Sequence, residues 1–372
     1  MRVLISGGGT GGHLYPGLAI ARALTRLAPG IEPFFIGARR GIEREVLPTS
    51  GFPYLLVDIH PLYRARPWQS WKTVAGLWSA WRSVGALARR ERPRVAIGTG
   101  GYASSATLAY ALAHRIPYVL QEQNGYPGIT TRLFSRWARE IYLGYPEARA
   151  LLATRGTTVV EDTGNPIEPP PVPRPDRTAA RARWGFAADD GAEPVVLLIF
   201  GGSQGARAIN DVVSEWVLAG VPPSLRVIWA TGREHYARYT HLASAQVRVE
   251  PYLSPIARAY AAADVALCRA GALTLAELCA WGIPAIAVPL PTAAADHQTA
   301  NARALAERGA VRVVSQDALT PERLAEEMRA LLSAPGVLEE MAAAARARAR
   351  PHAADEIARR ILRLAERRAR SA

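Results

Sequence analysis

Short apolar runs typical of buried strands alternate with amphipathic stretches from one end of the chain to the other. The strand-like runs fall at residues 3–5, 34–36, 95–97, 118–120, 141–143, 195–200, 227–229, 265–267 and 285–288. An amphipathic helix is predicted over residues 16–27, after the first of these runs. Such alternation favours the α/β class, in which doubly wound parallel sheets carry helices on both faces.

A proline-rich segment interrupts this pattern near the middle of the chain. Residues 166–175 hold six prolines, which neither a helix interior nor a central strand accommodates. We therefore predict an N-terminal domain over residues 1–165 and a C-terminal domain over residues 166–350. A last segment, 351–372, carries a predicted helix at 353–370. The pattern does not decide where that helix packs, and the N-terminal domain is one candidate surface.

Glycine-rich turns follow several of the predicted strands. The first two, SGGGTGGH at 6–13 and GTGGY at 98–102, lie in the N-terminal half, and GGSQG at 201–205 opens the C-terminal half. Glycine lets the backbone approach a ligand closely, and the helix that follows offers N–H groups at the positive end of its dipole. These turns predict sites for a diphosphate.

Two of these turns also match motifs of other enzyme classes. Residues 7–12 fit the dinucleotide pattern G-x-G-x-x-G, but Gly-Ala-Arg at 37–39 stands where an acidic residue is expected. The third turn fits the nucleophile elbow G-x-S-x-G, with Ser203 as nucleophile and His235 or His297 as its partner. A second glycine-rich domain argues against both, because neither class needs one.

A fourth turn, residues 268–274, leaves two interpretations open. Thr274 and Glu277 have the spacing of a capping box, in which Thr274 caps a helix and Glu277 bonds back to its backbone. The alternative is a helix N-terminus that faces a phosphate, with Glu277 accepting hydrogen bonds from a ribose.

Composition narrows the class of protein further. Hydrophobic residues make up 49% of the chain, which excludes a disordered protein. Two cysteines cannot form a disulfide framework, and the N-terminus shows no export signal, so we expect a reducing, cytosolic compartment. The charge-free stretch 95–113 contains glycines and serines that indicate strand, turn and helix instead of a membrane span. Dispersed histidines and the absence of a D-x-D element predict no metal site.

The chain carries a formal net charge of +13, which favours an anionic partner or a solvated basic surface. Trp71, Val74, Trp78 and Trp81 would share one helical face, and Trp68 precedes them. Basic residues surround this face: Arg64, Arg66, Lys72, Arg82, Arg89, Arg90, Arg92 and Arg94. The pattern is typical either of a helix that packs on its own core or of an interfacial helix on an anionic membrane.

Seven ordered motifs together resemble the MurG family of bacterial glycosyltransferases over nearly the whole chain. These motifs are GGTGGH at 8–13, GGY at 100–102, EQN at 122–124, GNP at 164–166, GGSQGAR at 201–207, Arg269 with GALT at 271–274, and DHQ at 296–298. The resemblance implies the GT-B fold, in which two Rossmann-like domains face each other across a cleft. It also implies inverting transfer of N-acetylglucosamine from UDP-N-acetylglucosamine to the C4 hydroxyl of lipid I, which yields lipid II for peptidoglycan.

The resemblance also implies roles for individual residues. His13 is the candidate general base, with Glu122 in reserve. The implied contacts to UDP-N-acetylglucosamine are Thr10, Gly11, Gly12, Asn124, Ser203, Leu253, Ala272, Leu273, Thr274, Glu277 and Gln298. The implied contacts to the acceptor diphosphate are Gly100, Gly101 and Tyr102, and the implied membrane patch is Trp68, Trp71, Trp78 and Trp81.

No cofactor or metal is implied beyond the donor substrate. The expected setting is the cytoplasmic face of the bacterial membrane, bound peripherally, with lipid I, an anionic membrane surface and cell-wall synthesis proteins as partners. Glu168 departs from the family, which usually has an arginine there beside the nucleotide, and Arg174 is one candidate substitute. Another lipid-glycosylating GT-B enzyme, such as one acting on diacylglycerol, is the alternative enzyme. A basic nucleic-acid-binding protein is the non-enzymatic alternative, although no nucleic-acid module is present.

Overall fold

A computed structural model describes residues 1–59, 70–186, 193–202, 205–333 and 336–370, with the side chains of 70–75 and 368–370 left aside. The chain forms two compact units. Unit 1 comprises residues 1–168 together with 350–372, and unit 2 comprises residues 169–349. The chain passes from unit 1 to unit 2 within the proline-rich segment, and it returns to unit 1 before the last helix.

Unit 1 is built on seven strands and six α-helices among the described residues. The strands are β1 (Arg2–Ser6), β2 (Glu32–Ala38), β3 (Tyr54–Val57), β4 (Val95–Gly98), β5 (Tyr118–Glu122), β6 (Glu140–Leu143) and β7 (Val159–Glu161). The helices are α1 (Gly11–Leu27), α2 (Glu43–Val46), α3 (Ser70–Glu91), α4 (Ala103–Ala113), α5 (Ile129–Phe134) and α14 (Ala353–Arg370).

The seven strands of unit 1 form one parallel sheet in the order β3-β2-β1-β4-β5-β6-β7. One face of this sheet packs on α3 and α4, with Val84 and Leu108 in the core. The other face packs on α1 and α14, with Leu24 and Ile361 in the core. The unit is therefore doubly wound, and its strand order reverses between β1 and β4.

Unit 2 repeats this plan with six strands and eight α-helices among the described residues. The strands are β8 (Val195–Phe200), β9 (Leu225–Ala230), β10 (Val247–Glu250), β11 (Val265–Arg269), β12 (Ala285–Val288) and β13 (Val311–Val313). The helices are α6 (Arg177–Ala182), α7 (Arg207–Ala219), α8 (Tyr236–Tyr239), α9 (Ala257–Ala262), α10 (Ala272–Trp281), α11 (His297–Ala306), α12 (Pro321–Ser333) and α13 (Val337–Arg348).

The sheet of unit 2 is also parallel, in the order β10-β9-β8-β11-β12-β13. Its central strand β8 is apolar throughout and buried from Val196 to Phe200, as expected of a strand covered on both faces. Leu197, Trp229 and Leu267 lie in the core that α7 and α12 cover. The strand order reverses between β8 and β11.

The predicted α/β class is confirmed, and every predicted strand run lies within an observed strand. The first helix differs from the prediction, because it begins at Gly11 and contains Pro16 in its interior. His13 consequently lies in the first turn of α1. The stretch 95–113 forms β4, a turn and α4, and no helix in the described part of the chain is long and apolar enough to cross a membrane.

Candidate active site

The first two glycine-rich turns meet at the point where the strand order of unit 1 reverses. The first turn follows β1 and the second follows β4, which is the neighbour of β1 in the sheet. The Gly8 amide donates to the Gly100 carbonyl at 3.4 Å. A Cβ atom at Gly101, where φ is +74°, would lie 2.1 Å from the Gly8 oxygen. Glycine is required here because the two turns touch through their backbones, at the position where open α/β sheets bind ligands.

His13 lies directly over the second glycine-rich turn. Its Nδ1 is 3.1 Å from the Thr10 hydroxyl oxygen, and its carbonyl accepts a hydrogen bond from the Thr99 hydroxyl at 2.7 Å. A Cβ atom at Gly100 would lie 2.7 Å from His13 Cδ2 and 3.2 Å from Nε2. The imidazole is half-buried. Side chain and backbone are thus held from both turns, which orients the ring at the carboxyl edge of the sheet.

Glu122 ends β5 at the same edge, but its carboxylate faces its own loop. Oε1 accepts from the backbone and side-chain nitrogens of Asn124, each at 3.2 Å, and Oε2 accepts from the Gly128 amide at 3.0 Å. Burial raises the pKa of the Glu122 carboxyl above its ordinary value, and hydrogen bonds from Thr131 and Asn124 oppose that shift. The contacts suit a group that shapes the loop and orients Asn124.

The remaining predicted residues of unit 1 surround His13. Thr10 is the exposed N-cap residue of α1, and Gly11 and Gly12 are the first two residues of that helix. Tyr102 packs against the first turn, since a Cβ atom at Gly9 would lie 2.7 Å from its ring. The structure therefore brings the predicted catalytic and acceptor residues of unit 1 to one edge of one sheet.

A second cluster lies at the corresponding reversal point of unit 2, where β8 and β11 are neighbours. Gly271 is the N-cap residue of α10, so that Ala272, Leu273 and Thr274 form the first turn of the helix. The N–H groups of a first turn point away from the helix along its axis and attract anions. Ser203, the remaining predicted phosphate contact, lies outside the described residues.

The capping-box interpretation of Thr274 and Glu277 is wrong. The N-cap residue of α10 is Gly271, and Thr274 is the third residue of the helix. Glu277 accepts a hydrogen bond from the Tyr260 hydroxyl at 2.7 Å. Burial raises the pKa of Tyr260 well above its ordinary value, and the nearby Glu277 carboxylate raises it further. Tyr260 therefore remains a hydrogen-bond donor to Glu277.

Leu253 and Gln298 come from other parts of unit 2. Leu253 is buried and follows β10. Gln298 is the second residue of α11, and its side-chain oxygen accepts from the Leu290 amide at 2.9 Å.

Arg269, at the end of β11, donates to the Gln316 side chain at 2.6 Å and to the carbonyls of residues 288 and 289. Arg269 thus braces the loop that leads to Gln298, a role that sequence reasoning missed.

Arg174, the candidate substitute for the family arginine that is absent at position 168, lies away from the predicted nucleotide contacts. Its guanidinium donates to the carbonyls of Ala280 and Trp281, at 2.7 and 2.6 Å, and lies over the Trp281 ring. These carbonyls end α10, whereas the nucleotide contacts are predicted at its first turn. Ten helical residues separate the two ends by roughly 15 Å.

The tryptophans of α3 do not share one environment. Trp78 is 66% exposed, whereas Trp81 is half-buried and packs edge-on against Tyr110, with ring centroids 5.2 Å apart. Trp81 thus fits the core interpretation, and Trp78 fits the interfacial one. Trp78 lines a groove of about 690 Å³ together with the exposed Arg82 and Arg89. Trp68 and the Trp71 side chain lie outside the described residues.

Comparisons with known proteins identify a family for each of the two units. Residues 3–143 match the glycosyltransferase family 28 N-terminal domain, and residues 196–357 match the family's C-terminal domain. Among the relatives are enzymes named UDP-N-acetylglucosamine–N-acetylmuramyl-(pentapeptide) pyrophosphoryl-undecaprenol N-acetylglucosamine transferase. That of Moorella thermoacetica is 40% identical over 98% of this chain and its own full length, and that of Syntrophotalea carbinolica is 41% identical over 96% of this chain and 98% of its own.

A solved structure leads to the same family. The crystal structure of MurG from Acinetobacter baumannii matches with a TM-score of 0.75 and 29% identity, covering 97% of this chain and 99% of its own. The two parallel-sheet units are those of the GT-B fold. A dinucleotide-dependent enzyme and an α/β hydrolase are thereby excluded. The chain belongs to glycosyltransferase family 28 and, within it, to the MurG N-acetylglucosamine transferases.

Proposed function

We propose that this glycosyltransferase moves N-acetylglucosamine from UDP-N-acetylglucosamine to the C4 hydroxyl of the N-acetylmuramyl sugar of lipid I, with inversion at the anomeric carbon. The observation that carries the proposal is the near full-length similarity to transferases named for this donor and acceptor. The attacking hydroxyl loses its proton as the new β1,4 bond forms, and UDP leaves with the electrons of the broken bond.

His13 is the group that best suits removal of the proton. Imidazole has an unperturbed pKa of about 6.5, close to working pH. His13 is half-buried at the carboxyl edge of the sheet, whereas Glu122 is 2% exposed and both its oxygens accept hydrogen bonds within its own loop. Glu122 then serves to hold Asn124, and the second glycine-rich turn lies beside His13 to receive the acceptor diphosphate.

Unit 2 supplies the groups that would hold UDP. The first turn of α10 stabilises the negative charge of the diphosphate, Glu277 accepts from the ribose, and the backbone at Leu253 meets the uracil. A helix N-terminus contributes about 0.3–1 kcal/mol to binding an anion at an exposed site, and up to about 2 kcal/mol when partly buried. These contacts stabilise the leaving UDP as negative charge develops on it.

Substitution of His13 tests the assignment of the base. We expect His13→Ala to lower kcat by about 10²–10⁴-fold, because proton transfer by a positioned base contributes that much, while the KM for UDP-N-acetylglucosamine stays unchanged. Steady-state transfer to a soluble lipid I analogue measures both constants. His241→Ala, at an exposed histidine of unit 2, is the matched control and should keep wild-type kcat. A His13→Ala enzyme within threefold of wild type would remove His13 from the mechanism.

The lipid acceptor also requires access to a membrane surface. We propose that the exposed face of α3 docks on the cytoplasmic leaflet, with Trp78 inserted among the lipids and Arg82 and Arg89 near anionic headgroups. Trp78 is 66% exposed, an unusual position for so large an apolar side chain. Each arginine near an anionic leaflet adds about 1 kcal/mol of attraction.

A further inference from the structure

A buried glutamate lies beside the first glycine-rich turn and is not among the groups proposed to contact the substrates. Glu43 is the first residue of the short helix α2, yet its side chain turns inward and is fully buried. Burying a carboxylate is costly unless hydrogen bonds compensate for the lost water. The start of a four-residue helix does not by itself explain why this carboxylate is buried.

The contacts of Glu43 join the end of β2 to the first glycine-rich turn. Its Oε1 accepts from the Gly9 amide at 2.9 Å and from the Ala38 amide at 3.0 Å. Its Oε2 is the only buried side-chain nitrogen or oxygen without a hydrogen-bond partner in the described ranges. The structure thus retains one unpartnered oxygen while the other holds two backbone amides.

Three glycines leave the space that this side chain occupies. A Cβ atom at Gly8 would lie 1.6 Å from Oε1, one at Gly41 would lie 1.9 Å from Oε2, and one at Gly37 would lie 2.8 Å from Cγ. The Glu43 side chain is therefore enclosed by the end of β2, by the loop between β2 and α2, and by the first glycine-rich turn. Only glycine at these positions lets Glu43 reach the Gly9 amide.

The turn that Glu43 holds is the one that positions His13. Gly8 contacts the second turn through the Gly100 carbonyl, and the Thr10 hydroxyl lies 3.1 Å from His13 Nδ1. The Gly9 amide lies between these two contacts in the chain. A shift of the first turn would therefore move the imidazole relative to the second turn, over which it lies.

The same contact distinguishes this turn from a phosphate-binding loop. In a dinucleotide-binding domain the corresponding backbone amides face a pyrophosphate. Here the Gly9 amide donates to the protein's own carboxylate, so an internal anion occupies the amide that a phosphate would otherwise use.

We propose that Glu43 is a positioning residue for sugar transfer: it locks the first glycine-rich turn so that His13 stays aligned above Gly100 and Gly101. This inference rests on the role of His13 in the proposed function. A group misplaced by about 1 Å can lose about 10²-fold in rate. Loss of Glu43 should therefore slow the chemical step and leave donor binding in unit 2 unaffected.

A double-mutant cycle between Glu43 and His13 tests the proposal. Glu43→Gln keeps the shape of the side chain but replaces charge-assisted hydrogen bonds with weaker ones. We expect kcat to fall about tenfold with the KM for UDP-N-acetylglucosamine within twofold of wild type, and Glu43→Ala to lose more than Glu43→Gln. In the His13→Ala background, Glu43→Gln should lower kcat by less than twofold. Glu43 is proposed to act on kcat only through His13, and that imidazole is then absent. Glu45→Gln, at an exposed glutamate of the same helix, is the matched control.

The outcomes separate this inference from the proposed function. Circular dichroism melting first establishes that each variant is folded, and Glu43→Gln carries the test if Glu43→Ala is not. If His13→Ala is slow and Glu43→Gln still costs its full factor in that background, the Glu43 proposal is wrong and the base assignment stands. If Glu43→Gln turns over within twofold of wild type, the Glu43 proposal is also wrong. If His13→Ala keeps wild-type kcat, the assignment of His13 as the base and the Glu43 proposal are both wrong.

Discussion

Single side chains decide how well each unit could recognise its ligand. In unit 2 the Tyr260 hydroxyl donates to Glu277 Oε2, and Tyr260 comes from α9 while Glu277 comes from α10. This bond fixes the orientation of the carboxylate that we propose binds the ribose. The sequence did not indicate this role of Tyr260, because a tyrosine in an Ala-rich amphipathic segment is typical of an ordinary core residue.

Removal of that hydroxyl should weaken nucleotide binding. We expect Tyr260→Phe to raise the Kd for UDP by about 2–13-fold, the equivalent of one hydrogen bond worth about 0.5–1.5 kcal/mol. Isothermal titration calorimetry measures the change, and 2′,3′-dideoxy-UDP should bind wild type and variant alike. Tyr239→Phe, which removes a similar bond to Asp211 at 2.6 Å, is the matched control. An equal loss with the dideoxy nucleotide would contradict the ribose role of Glu277.

The predicted site residues lie where strands end and where the following helices begin. The predicted site residues His13, Gly100 and Gly101 lie at the carboxyl ends of β1 and β4, and Ala272 to Thr274 lie just beyond β11. The reversal of strand order in each sheet leaves that edge open between two helices. Helix α3 shows the limit of periodicity, because spacing puts Trp78 and Trp81 on one face, whereas packing against Tyr110 half-buries only Trp81.

Exposure of Trp78 leads to a prediction for membrane binding. We expect Trp78→Ser to weaken binding to phosphatidylglycerol-containing vesicles by about tenfold, because burial of a large apolar side chain contributes at least about 1.5 kcal/mol. Co-sedimentation measures the partition coefficient. Leu218→Ser changes a side chain that is 71% exposed on unit 2 and should leave the partition coefficient unchanged. Equal binding of wild type and Trp78→Ser would contradict docking through α3.

At the scale of the whole molecule, both ends of the chain belong to unit 1. Helix α14 packs on α1, with Ile357, Ala358 and Ile361 fully buried in the core on that face of the sheet. Arg360 of α14 also pairs with Glu140 at 2.6 Å and Glu161 at 2.8 Å. Helix α14 therefore contributes part of the hydrophobic core of unit 1.

A core substitution in α14 should destabilise unit 1 selectively. We expect Ile361→Ala to lower its free energy of unfolding by about 2–5 kcal/mol, through lost burial and the cavity that remains. Hydrogen exchange of the β1 and β8 amides reports on the two units separately. The amides of β1 should lose protection, while those of β8 should not. Leu218→Ala is the surface control, with an expected change within about 0.5 kcal/mol.

The sequence alone was sufficient for the α/β class, the strand runs, the glycine-rich turns and the family, because these depend on local periodicity and on motifs within a few residues. It was not sufficient for the edge strands β3, β7, β10 and β13, which are short and only partly buried. Only the tertiary structure showed that Arg174 caps α10, that Tyr260 holds Glu277, and that Glu43 reaches the Gly9 amide. Each of these contacts joins residues that are far apart along the chain, where hydrophobic periodicity gives no information. The packing of helices and loops against the sheet brings the partners together.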